Sequence, residues 1–70
     1  MKTLWLVSNG TYYNSYQCGE FVTKTKKAAV AICRKEGFKY SEKDELWCND
    51  HINVWRKIER IEIREIEKEN

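Results

Sequence analysis

The chain has 70 residues, 41% of them hydrophobic and 34% charged, with a formal net charge of +2. That length allows one domain, spanning 1–70, with a marginal core. It excludes a composition of the disordered kind and leaves no run of about 20 apolar residues to cross a membrane. Residues 1–40 carry seven Lys/Arg and two Glu, whereas residues 41–70 carry six Lys/Arg and nine Asp/Glu. A basic half of this kind attracts an anion locally, but it lacks the global field of a dedicated DNA-binding domain.

The first apolar run is Leu4-Trp5-Leu6-Val7, which stops at Ser8-Asn9-Gly10. It is too short for a signal peptide's apolar region, so the expected location is the cytoplasm. Three cysteines are then mostly reduced, and their odd number argues against a closed disulfide framework.

Residues 3–7 read as a strand, because β-branched and aromatic residues dominate and both faces are apolar. Asn9-Gly10 is a strong turn dipeptide. Residues 11–23 are rich in Tyr, Val and Thr and predict a second strand near 16–22, antiparallel to the first. Gly19 within it marks a bulge or a close backbone approach.

The stretch 25–38, TKKAAVAICRKEGF, is a well-signalled helix. Thr25 is the N-cap residue, the helix covers 26–36, and Gly37 suits the left-handed position after its end. Ala28, Ala29, Ile32 and Cys33 share one face at helical spacing and are expected to pack on a sheet. Phe38 is placed to fold back on Ile32 or Cys33.

Residues 40–44 read as a polar connection, 45–48 as a short strand, and Asn49-Asp50-His51 as a turn. The run 52–67 reads as a long strand with a bulge near Arg60, because its apolar positions change parity there. An amphipathic helix fits the same run through the spacings of Trp55, Ile58 and Ile61. The expected fold is α+β: a small antiparallel sheet, β-β-α-β-β, with the helix on one face.

Several groups of residues carry possible chemistry. Cys48 and His51 have metal-knuckle spacing, and Cys18 and Cys33 would complete a Cys3His set. Zinc modules use two close pairs, however, and Cys33 falls on the buried helical face, so no metal or other cofactor is expected. Cys48, Asp50 and His51 lie too close along a turn for thiolate catalysis, and the expectation is a protein without enzymatic activity. Lys24, Lys26 and Lys27 at the helix start form a candidate anion site, with Tyr12, Tyr13 and Tyr16 as base-stacking partners. The bland reading of those lysines is a solvated basic edge.

Nine aromatics exceed what one small core needs. Tyr12, Tyr13, Trp47 and Trp55 flank the two expected turns and are the candidate protein-binding residues. The charged isoleucine tail, 56–69, is either a solvated element or a self-pairing edge or helix in a homodimer.

The Trp5-Leu6-Val7 strand close to Met1, the Tyr-rich hairpin, the Thr25-Lys26-Lys27-Ala28-Ala29 helix start and the charged isoleucine tail together form a layout. That layout resembles the small accessory proteins that bacteriophages encode among early or counter-defence genes. The resemblance implies action by binding in the host cytoplasm: blocking a host enzyme, antagonising an immune nuclease or sequestering a nucleotide signal. The leading expectation is an inhibitor of a host or defence protein. The alternative is a nucleotide- or nucleic-acid-binding module that uses the basic helix start and the tyrosines.

Overall fold

The computed structural model describes residues 2–13 and 17–64. In chain order the elements are β1 (Lys2–Thr11), β2 (Cys18–Thr23), α1 (Lys26–Lys35), β3 (Lys39–Ser41), β4 (Leu46–Asn49) and β5 (Val54–Ile63). The strands form one antiparallel sheet in the order β2-β1-β5-β4-β3. The helix packs on one face, as the sequence predicts. No described helix is long and apolar enough to cross a membrane.

The spine of the sheet is the β1–β5 ladder, ten residue pairs from Lys2↔Ile63 to Thr11↔Val54 without a register shift. Alternation along it sorts the side chains. Trp5, Val7, Phe21, Val54 and Ile58 point toward α1 and pack with Ala29, Cys33, Phe38 and Trp47. Leu4, Leu6, Val22, Leu46, Cys48, Trp55, Ile61 and Ile63 fall on the opposite face by the same pairing.

Both ends of α1 follow from local chemistry. The Thr25 hydroxyl accepts from the Ala28 N–H at 3.1 Å, satisfying a donor that the first turn leaves unpaired. At the other end Phe38 N–H donates to the Cys33 carbonyl and Gly37 N–H to the Arg34 carbonyl. This is the Schellman pattern, and it requires the positive φ of 92° that Gly37 adopts. Ala29 and Cys33 are fully buried and Phe38 joins them. Ala28, expected on the buried face, is exposed, and Ile32 is half-buried. The helix footprint is centred on Ala29, Val30 and Cys33, which rotates Ala28 out of the contact.

Three further expectations need correcting. Asn9-Gly10 is not a turn but the interior of β1. A long non-local ladder outweighs a local turn preference here, and Gly10 keeps an ordinary φ. The bulge is not at Arg60 either. Ile58 faces the helix while Ile61 and Ile63 face away, so the parity change reflects two apolar faces rather than a shifted one. A bulge does occur in β2, where Glu20 is the extra residue beside Gly19. Finally, residues 39–41, most of them read as connection, form the short edge strand β3, which Tyr40 anchors by packing on Trp47 with ring centroids 5.4 Å apart.

Candidate functional site

The open face of the sheet is organised by Gly10. It stands directly opposite Trp55 on β5, and a Cβ at this position would collide with the Trp55 six-membered ring. The missing side chain therefore lets the half-buried indole rest against the β1 backbone. Cys48 sits opposite Trp55 on the other flank, in β4. Trp55 and Cys48, with Leu46, Thr11, Tyr12 and Asp44, line an open groove of about 420 Å³.

The rim of the groove is polar and acidic. The Tyr12 hydroxyl donates to Asp50 Oδ1 at 3.1 Å. The Tyr12 phenol is raised above its ordinary range, first by hydrogen bonding with Cys48, then by burial and by Asp50. Its bond to Asp50 makes the hydroxyl a donor at the rim. The Cys48 thiol donates to the Leu46 carbonyl at 3.9 Å. The β4–β5 turn behind it is held by Ile52 N–H on the Asn49 carbonyl and His51 N–H on Asn49 Oδ1, with Asn53 at φ 56°.

Two of the four predicted protein-binding residues, Tyr12 and Trp55, thus line one groove. Tyr13, next in the chain, is 86% exposed. Trp47 does not belong with them: it points to the helix side and is 9% exposed, in the core, with the Arg34 guanidinium 5.7 Å from its ring centroid. Trp47 and Cys48 are consecutive in β4, and that single step sends their side chains to opposite faces.

Lys24, Lys26 and Lys27 are exposed at the start of α1. Lys26 Nζ lies 5.8 Å from the Trp5 ring centroid, a cation–π contact. Thr23 pairs with Trp5, whereas Tyr12 follows Thr11 at the far end of β1. Trp5 and Thr11 are six residue steps apart along β1, about 20 Å. The lysines therefore occupy the opposite end of the sheet from Tyr12 and Tyr13. Tyr16 lies outside the described residues.

The Cys3His set is dispersed. Cys18 is exposed on edge strand β2, Cys33 is buried beneath α1, and Cys48 lies on the open face. Among the described residues no group of three or more His, Cys, Asp and Glu is placed to hold a metal ion.

Arg56 is the residue that sequence reasoning missed. It is 8% exposed, on the helix side, and donates through Nε to Asn9 Oδ1 at 3.0 Å. Its Nη1 pairs with Glu36 Oε1 at 2.6 Å, and its guanidinium stacks 4.3 Å from the Phe38 ring centroid. It also contacts Cys33 Sγ at 3.9 Å. Burial pushes the Cys33 thiol up, an effect that Arg56 partly opposes. The available signal was parity: Arg56 alternates with Val54 and Ile58 on the inward face. Arg56 ties the end of α1 to the centre of the sheet through Glu36 and Asn9.

Comparison of the chain with protein-family models, with curated proteins and with solved structures finds no match.

Proposed function

We propose that this chain is a non-enzymatic binding protein that docks a partner protein on its open sheet face, with Trp55 and Tyr12 at the centre of contact. The observation that carries this reading is the indole of Trp55 laid on Gly10 and left half-exposed at the floor of a groove. An aromatic held rigid by packing offers large contact area at low entropy cost, the usual character of a binding hot spot. The apolar floor with Asp44 and Asp50 at its rim suits a partner's apolar side chain flanked by Lys or Arg. Tyr13 extends the contact beyond the rim.

The resemblance to phage accessory proteins supplies the partner class: a host or defence protein, met in the cytoplasm and blocked by occupation of its surface. The nucleic-acid alternative needs tyrosines stacking bases beside the lysines, and their separation by about 20 Å favours the protein partner.

The test is affinity capture from a bacterial lysate, followed by mass spectrometry, with the parent, Tyr12→Ala and Trp55→Ala. Each variant is first checked for an intact thermal transition. The expected result is a partner captured by the parent and lost by at least tenfold with Trp55→Ala. Folded variants that capture the same partner equally well would remove the groove from the interface. Oligonucleotide binding with a steep salt dependence would favour the alternative.

A further inference from the structure

A second surface, independent of the groove, is the free edge of β5. This strand has ten residues, but β4 pairs only with Val54, Trp55 and Arg56. Among the described residues no strand pairs with the same edge along 58–63. At that end β2 is also missing, since its pairing with β1 begins at Trp5. Lys2, Thr3 and Leu4 with Ile61, Glu62 and Ile63 therefore project as a two-stranded ribbon. Such a ribbon is marginal by itself, and a third strand stabilises it.

Edges of this kind are normally blunted by proline, bulges or unmatched charge. The chain has no proline, and the β1–β5 register shows no bulge in β5. What remains is charge that alternates in sign: Glu59, Arg60, Glu62 and Arg64. Alternating charge repels most registers and fits few.

We infer that two copies of this chain pair antiparallel along this edge, in the register centred on Ile61. A two-fold axis perpendicular to the sheet keeps both helices on one face and sets each residue opposite one of equal parity. Centring on Glu59, Arg60 or Glu62 sets like charges directly opposite, which is destabilising. Centring on Ile58 runs into the edge that β4 occupies at Arg56. Centring on Ile61 sets Ile61 against itself and Glu59 against Ile63. It also places Arg60 opposite Glu62 of the second copy, twice. Arg60 already binds Glu62 of its own chain at 2.9 Å, and both side chains are about half exposed. The dimer thus closes a ring of four charges in which every neighbour has the opposite sign. Ile63, 41% exposed, lies beside this seam on the open face.

Sedimentation equilibrium tests the register, using the parent, Arg60→Glu, Glu62→Arg and the double reversal. The parent's mass should rise with concentration from 8.4 kDa toward twice that value. Each single reversal should weaken dimerisation by about tenfold or more, and the double reversal should restore it to within about threefold. Hydrogen exchange on the parent gives a check that needs no variant: amides of 58–63 should gain protection as concentration rises. A parent that stays monomeric at about 1 mM would overturn the proposal. So would a dimer indifferent to the single reversals, or edge amides protected only when a different protein is added.

Discussion

Trp55 and Arg56 are neighbours on β5, and they illustrate the two faces of the same sheet. Arg56 points under α1, where its guanidinium is bound by Asn9 and Glu36 and stacked on Phe38. Trp55 points away, rests on Gly10, and keeps part of its ring in water. The helix side has solved its packing: Val7, Ala29 and Cys33 have no exposed surface, and even the charged group is satisfied. The open side carries comparable apolar material in Leu4, Leu6, Val22, Trp55, Ile61 and Ile63, with no helix over it among the described residues. One ten-residue helix can cover only one face of a five-stranded sheet. Folding of the monomer accounts for the apolar residues on the first face. Those on the second are the ones that the proposed function assigns to a partner.

The sharpest way to break this comparison is to make one substitution on both faces. Val7→Asp buries a carboxylate with no partner, at a cost comparable with the whole stability of such a domain, about 4–10 kcal/mol. It should abolish the thermal transition. Val22→Asp, on the open face at 48% exposure, should cost no more than about 1 kcal/mol. Arg56→Ala comes next, at about 3 kcal/mol, because it removes a paired buried charge and leaves Asn9 and Glu36 without their partner. Arg56→Lys should recover only part of this, since an ammonium lacks the planar fork. Urea unfolding midpoints measure both.

Gly10→Ala sharpens the comparison from the open side. The added methyl displaces the Trp55 ring, with an expected cost of about 1–3 kcal/mol and a red shift in tryptophan emission. Combined with Trp55→Ala the cost should be well below additive, because the collision is then gone. The smallest effect belongs to Thr25→Ala, about 1 kcal/mol from loss of the cap to Ala28. It should leave binding at the groove unchanged.

What was legible in the sequence follows the same division. The helix, its cap at Thr25 and its glycine stop at Gly37 are local signals, and the structure repeats them nearly residue for residue. The strand character of the isoleucine run as far as Ile63 was also readable from its alternation, and residues 65–69 of the tail lie outside the described residues. The β1–β5 ladder was not, because it joins residues more than 40 apart, and no local pattern shows that Asn9-Gly10 lies inside it. Trp47 and Trp55 look alike in sequence; only the register, Trp47↔Arg56 and Cys48↔Trp55, assigns one to the core and the other to the groove. The inward role of Arg56 was hidden because a charged residue in a charged tail reads as solvated. Its parity with Val54 and Ile58 was the evidence against that reading.

The difference between the faces can be measured on the unmodified protein through its own cysteines. Cys33 lies fully buried beneath α1, Cys48 lies half-buried in the groove, and Cys18 is exposed on edge strand β2. Native-state thiol labelling, with each site located by peptide mass spectrometry, reads all three at once. Cys18 and Cys48 should label directly, and Cys33 only at the rate of unfolding, since burial both shields its thiol and raises its pKa. A Cys33 that labels as fast as Cys48, or a Cys48 as protected as Cys33, would contradict the assignment of one covered and one open face.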